Sequence, residues 1–207
     1  MKTEVNQVTE QEMVTRAKAG DQDAFGQLVA DNQNRIYSLA VRMAGDREEG
    51  ADWAQEAFLK AWQNLDSFQG SSSFSTWVYR LAVNLCVDEL RRRKRRQAVE
   101  STASLEETPL EPADWSQDPQ RQMEQEELHQ ALERGLASLP DHHRQVLVLR
   151  ELSGLSYQEI GQTLHLDLGT VKSRLARARL ALQKILLSDG NFSPPLSSNP
   201  VKKPERR

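Results

Sequence analysis

Lys172, Ser173, Arg174, Arg177 and Arg179 lie close together near the C-terminus, with Thr170 just ahead of them. At about 100° per residue, Ser173, Ala176 and Arg177 project from one side of a helix, Lys172 lies beside them, and Arg174 and Arg179 fall on the flanks. Short polar groups at the centre of such a face can meet base edges in a DNA major groove. Arginines along its edges can take the phosphates of either wall. Taken alone, the same face also fits a solvated basic surface on an ordinary amphipathic helix.

A second group, Trp77, Arg80, Asn84, Asp88 and Arg91, repeats at helical spacing in the N-terminal half. Aromatic rings stack on unpaired bases, amides bond base edges and arginines take phosphates, so this stripe suits opened DNA. The alternative puts Trp77 in the core and pairs Arg80 with Asp88. Just before it, Phe68 and Phe74 bracket a polar run that reads either as a plain turn or as a pocket for an unstacked base. A third group, Asp52, Gln55, Glu56, Leu59 and Gln63, shares one helix face with Trp53 adjacent. Acids and amides around a leucine suit a protein partner with a basic, partly apolar surface; alternatively Trp53 tucks into the core and the acids only solubilise.

No chemistry of bond-making is visible. There is no glycine-rich phosphate loop and no nucleophile–base–orienter set. His142 and His143 are adjacent, so a helix is expected to point them apart, and His165 falls in a turn. Cys86 is the only cysteine, which excludes an internal disulfide or a multi-cysteine metal site and reads as a small packing residue. No catalytic residue, metal or cofactor is expected.

The elements that must position these groups are helical. Ser156 and Glu159 form a capping box opening a helix, in which Tyr157, Ile160 and Leu164 repeat; Gly161 suits close contact between two helix backbones. The chain breaks around residues 165–169 and restarts at Thr170 as N-cap. Val171, Leu175, Ala178, Leu182 and Ile185 then form a buried stripe. Short helix, tight break and longer basic helix together read as a DNA-binding helix-turn-helix. Upstream, residues 10–19 form a short helix, Asp21 and Asp46 are N-caps, and Gly45 separates two long helices. The first of these buries Phe25, Leu28, Val29, Ile36, Leu39, Ala40 and Met43, the second Ala54, Phe58, Ala61, Trp62 and Leu65. A fourth helix runs from about Ser75 into the basic block ending at Arg96. Further on, Leu128, Leu132, Leu136 and Leu139 mark one helix, and Val146, Leu149 and Leu152 another opened by Pro140.

The net charge of -3 over 207 residues hides segregation: residues 91–96 are all basic, whereas 100–127 are strongly acidic. Prolines, acids and few aliphatics make the acidic segment a linker that cannot bury enough surface to fold. The fold expected is all-α, with two small helical domains joined by a flexible acidic linker, the C-terminal one containing the helix-turn-helix. The boundaries are 10–98, linker 99–122, 123–187, and a disordered tail 188–207, with residues 1–9 frayed. No apolar run reaches the ~18 residues of a membrane span, and no signal-peptide core follows Met1, so a soluble, cytoplasmic protein is expected.

The stretches Asp52 to Trp62, Phe74 to Asn84 with Asp88 and Arg91, Leu139-Pro140, Tyr157 to Gly161 and Gly169 to Arg179 resemble a bacterial RNA polymerase sigma factor of the small two-domain extracytoplasmic-function group in the sigma-70 family. The resemblance covers roughly residues 10–187. It implies binding to core RNA polymerase, with Asp52, Gln55, Glu56 and Leu59 on the clamp coiled coil and the C-terminal domain on the flap. It implies promoter DNA as a second partner. Phe68, Phe74, Trp77, Arg80, Asn84 and Arg91 would open and read the downstream element; Thr170, Lys172, Ser173, Arg174, Arg177 and Arg179 would read the upstream one. An anti-sigma protein is a further implied partner. Trp53 stands where the family usually has a smaller aliphatic, which would alter the docking contact. The competing readings are a free-standing helix-turn-helix regulator, whose N-terminal half dimerises or senses, and a helical adaptor protein.

Overall fold

A computed structural model describes residues 9–99 and 119–188, and every regular element among them is a helix. The expected linker core and both expected tails, residues 100–118, 1–8 and 189–207, lie outside the described residues.

The first body comprises α1 (Glu10–Lys18), α2 (Gln22–Ala44), α3 (Arg47–Gln63), a 3-10 turn (Leu65–Ser67) and α4 (Phe74–Val99). Local chemistry starts and stops these helices. The Asp21 carboxylate accepts from the Ala24 amide and the Asp46 carboxylate from that of Glu49, each three residues on, filling orphan donors at the two N-termini. Gly45, at φ +74°, ends α2 in a left-handed cap whose amide donates to the Val41 carbonyl, a conformation that suits glycine. Thr9, expected to be frayed, is instead half of a capping box with Glu12. Leu28, Ile36, Met43, Phe74, Val78, Ala82 and Cys86 are fully or almost fully buried, bringing the stripes of α2 and α4 into one core. Burial pushes the Cys86 thiol up to about 12, in keeping with a packing role.

The second body comprises α5 (Pro119–Ala137), α6 (Asp141–Leu147) running into a π turn (Val148–Leu152), α7 (Tyr157–Leu164) and α8 (Leu168–Ser188). Helix α5 begins ahead of the expected boundary at residue 123, because Pro119 opens it: at the first helical position the missing amide costs no hydrogen bond. The π turn also changes a stripe. The Ser153 amide donates to the Val148 carbonyl five residues back at 3.0 Å, and the wider turn rotates Leu152 out of line with Val146 and Leu149. Leu152 is therefore 44% exposed, while its two predicted partners are fully buried. Leu128, expected in the α5 stripe, is likewise exposed, and Leu136 and Leu139 carry the contact.

The two bodies touch. Helix α2 packs against α5, α6 and the π turn, and α4 against α7.

Candidate functional site

Helix α3 presents the first surface. Asp52, Gln55, Glu56 and Leu59 line one groove of about 440 Å³ together with Phe25, Phe58 and Trp62. Spacing alone groups the first four. Phe25 arrives from α2, with its ring 4.7 Å from that of Trp62, so the apolar floor is a product of packing. Leu59 is half exposed at the rim. An open groove with an aromatic floor and acids on one lip can take an apolar side chain flanked by cations. Trp53 is not part of it. It is buried at 6% exposure, with the Arg93 guanidinium 5.9 Å from its ring centroid, which is the reading that tucks Trp53 into the core.

The second surface is α4 with the loop before it. Phe74 is fully buried and Phe68 nearly so. Their rings meet edge to face at 6.1 Å, and Trp77 packs on both at 5.3 and 5.6 Å. Phe68 and Phe74, expected among the DNA contacts, offer no free ring face here, and both pin the loop from beneath. Helix α1 holds it from above. Lys18 Nζ donates to the Phe68 carbonyl at 2.6 Å, and the Glu10 carboxylate accepts from the Phe74 amide at 2.8 Å. Sequence spacing gives no sign of this clamp, because its partners lie far apart in the chain.

On α4 itself Arg80, Asn84 and Asp88 are exposed and Trp77 is half-buried. Asp88 pairs with Arg91 at 3.1 Å, in place of the Arg80 pairing considered above. Arg91 also donates to the Thr163 carbonyl on α7 at 3.0 Å. The Ser156 amide and hydroxyl hold the Glu159 carboxyl of α7 below the usual carboxylate range, and the nearby positive charge of Arg80 adds to the effect. The basic block divides. Arg92 bonds Glu89, and Arg93 bonds Glu49 and Asp141, whereas Lys94, Arg95 and Arg96 are exposed.

The third surface is α8. The expected capping box is present: the Ser156 hydroxyl accepts from the Glu159 amide, and the Glu159 carboxylate from the Ser156 amide. His165 closes α7 in the left-handed region at φ 55°. Gly161 meets the turn first: a Cβ there would lie 2.8 Å from the Leu166 carbonyl oxygen and 3.9 Å from a Val171 methyl of α8. Thr170 is not the N-cap of α8. Asp167 takes that role, accepting from the Thr170 amide at 2.8 Å and its hydroxyl at 2.6 Å. Aspartate is the stronger cap, so α8 starts at Leu168.

Val171, Leu175 and Ala178 are buried as their stripe requires, and Lys172, Ser173, Ala176 and Arg177 are exposed on the opposite side with Arg174 half-buried. Arg179 is tied back to Glu151 on the π turn by two hydrogen bonds, 2.5 and 3.1 Å. His142 and His143, expected to point apart, have ring centroids 4.3 Å from each other. Burial lowers both their pKa values, and the Arg174 charge lowers them further. Among the described residues no group of His, Cys, Asp or Glu could hold a metal ion, and no helix is long and apolar enough to cross a membrane.

Residues 28–96 match Sigma-70 region 2, and residues 129–182 match Sigma-70, region 4. The chain is similar to the RNA polymerase sigma-H factor of Pseudomonas aeruginosa, 38% identical over 186 residues that cover 88% of this chain and 96% of that protein. It is 40% identical to the ECF RNA polymerase sigma-E factor of Escherichia coli over 85% of this chain and 93% of that one. Among solved structures it resembles the sigma factor RpoE of Bartonella quintana, crystallised with the anti-sigma factor NepR. The TM-score is 0.57 at 25% identity, covering 80% of this chain and 98% of that chain.

Proposed function

The chain belongs to the extracytoplasmic-function sigma factors of the sigma-70 family, and on that premise we propose that it binds core RNA polymerase and directs transcription initiation at a specific set of promoters. Its place of action is that of the polymerase, the bacterial cytoplasm, and the bond-making belongs to the polymerase. The α3 groove, through Asp52, Gln55, Glu56 and Leu59, docks on the clamp coiled coil, and the second body on the flap. Trp77, Arg80, Asn84 and Arg91 read the opened downstream element while the aromatic cluster under the loop keeps its shape. Unstacking a base costs a few kcal/mol, which a preformed surface can offset. Lys172, Ser173, Arg174 and Arg177 read the upstream element as duplex, and Arg179 contributes through its hold on Glu151. An anti-sigma protein, as in the complex of the Bartonella quintana factor, is the partner that would keep the chain from the polymerase.

The observation that carries this reading is the pairing of two unlike surfaces on one chain. The acidic and apolar groove of α3 suits a protein, and the basic outer face of α8 suits a duplex. A free-standing regulator needs the second surface only, and an adaptor the first only. In vitro transcription with purified core polymerase over genomic DNA, followed by mapping of start sites, tests the proposal. Discrete starts that depend on the added chain are expected, and their absence overturns it.

A further inference from the structure

We propose that His142, with His143 behind it, adds a phosphate contact to the duplex-binding surface of α8, and that this contact takes up a proton when DNA binds. The inference rests on the reading of α8 given above and deepens it. Neither ring belongs to the stripe or to the basic face from which that reading is built.

Both histidines stand in the first turn of α6, which packs against α8. The turn is fixed in place by the next residue. Arg144 is only 4% exposed and donates to the Met43 and Ala44 carbonyls at the end of α2, at 3.3 and 2.8 Å. His142 is exposed and His143 half-buried, with ring centroids 4.3 Å apart. Cations act on them from two elements. The charges of Arg174 on α8 and Lys94 on α4 bear on His142, and those of Arg174 and Arg177 on α8 bear on His143. Charges at a protein surface are screened within about 10 Å, so these cations and the rings share one neighbourhood. Asp141 is the opposing carboxylate, and its two oxygens are already engaged by Arg144 and Arg93. Burial first, and then this surplus of cations, favours the neutral ring at both positions.

An imidazole kept neutral by neighbouring arginines responds to whatever anion those arginines bind. A DNA phosphate settling on Arg174 and Arg177 reverses the local field and favours the imidazolium. His142 then takes a proton from solvent and donates an N–H to a phosphate oxygen, a charge-assisted hydrogen bond. The pair takes one proton and not two. Two charged rings at this separation repel, and His142 already lowers the pKa of His143. His143 Nδ1 is also buried without a hydrogen-bond partner, so a charged His143 would bury an N–H with no acceptor. The exposed ring carries the charge, and the half-buried one is its neutral backing.

Fluorescence anisotropy of the full chain on a short duplex, at low salt and a series of pH values, tests the contact. A complex that binds more protons than its parts strengthens as pH falls. Affinity should therefore rise as pH falls through about 6.5, by about threefold to tenfold per pH unit, tenfold being the limit for one proton. His142→Asn with His143→Asn should flatten the slope, with circular dichroism unchanged. His142→Arg, a permanent cation, should flatten it too, at the affinity that the parent reaches at low pH. The other two histidines, His129 and His165, should keep the slope when replaced by asparagine. A phosphate carries no sequence, so a duplex of scrambled sequence should give the same slope as one from a mapped promoter. The contact is overturned by a flat parent, by absence of binding, by a slope that survives the double variant, or by one confined to the promoter sequence. A chain with the expected slope that starts no transcription with core polymerase keeps the contact and counts against the initiation reading. One that starts transcription with a flat slope loses the contact alone.

Discussion

Glu10 holds the first turn of α4 in place: its carboxylate accepts from the Phe74 amide at 2.8 Å and from the Ser75 hydroxyl at 3.3 Å. The anion sits where the helix dipole favours it and satisfies a donor that α4 cannot satisfy itself. Removing it by Glu10→Ala should cost about 1 kcal/mol of unfolding free energy, the usual worth of an N-terminal cap. Urea denaturation followed by circular dichroism measures the loss. Glu10→Gln, which keeps an acceptor, should recover part of it; equal stability of all three proteins would show that the contact adds nothing.

What the sequence revealed and what it hid divide along one physical line. Ser156 with Glu159, the caps at Asp21 and Asp46, and the stripe from Val171 to Ala178 depend on residues three or four apart, and each is found where its spacing puts it. The grouping of Asp52, Gln55, Glu56 and Leu59 was legible for the same reason. The burial of Trp53, Phe68 and Phe74 was not, since it depends on which distant helix covers them. Glu10 on α4 and Arg144 on α2 are long-range contacts without a periodic signal. Leu152 was misplaced because a π turn has no clear mark in residue types, and the α5 start because a proline at the first helical position reads equally as a breaker.

The aromatic cluster and the polar stripe of α4 should separate under mutation. Phe74 is fully buried against Phe68, Phe25 and Trp77, so Phe74→Ala should lower stability by about 3–5 kcal/mol. Asn84 is exposed, and Asn84→Ala should leave the unfolding curve within about 0.5 kcal/mol of the parent. Its effect should fall on initiation and be larger on duplex than on pre-melted promoter. Equal loss on both templates would remove Asn84 from strand opening.

Gly161 and Gly26 offer a matched pair. A Cβ at Gly161 would meet the Leu166 carbonyl oxygen at 2.8 Å, whereas one at Gly26 meets nothing within 4 Å. Gly161→Ala forces the turn of the helix-turn-helix outward and should cost about 1–3 kcal/mol, with weaker binding to promoter duplex. Gly26→Ala, inside an exposed turn of α2, should stabilise by about 0.5–1 kcal/mol. Thermal melts of the two variants decide the matter; a neutral Gly161→Ala would mean that the turn relaxes freely.

Charge reversal on α3 tests the groove. Asp52 is exposed and Glu56 sits on the same lip beside the aromatic floor, so Asp52→Lys with Glu56→Lys changes the sign of the face without entering the core. Helicity should be unchanged, while association with core polymerase in gel filtration should be lost. Co-elution as strong as that of the parent would take these residues out of the docking surface.

The histidine pair should make stability depend on pH. Burial lowers the pKa of both rings; the Arg174 charge adds to this at His142, and the charges of His142, Arg177 and Arg174 add to it at His143, with Asp141 opposing at His142. For a base held below its ordinary value the fold favours the neutral ring. The stability it contributes is fully present above the ordinary value of 6.5 and is lost as pH falls from there through the lowered folded values. The melting temperature should therefore drop as pH falls below about 6.5, and drop less in the double variant His142→Asn with His143→Asn. Promoter duplex should blunt the drop, because phosphates at Arg174 and Arg177 would neutralise the charge that disfavours protonation. Parallel melting curves for parent and variant across that range would show that the pair does not titrate against the fold.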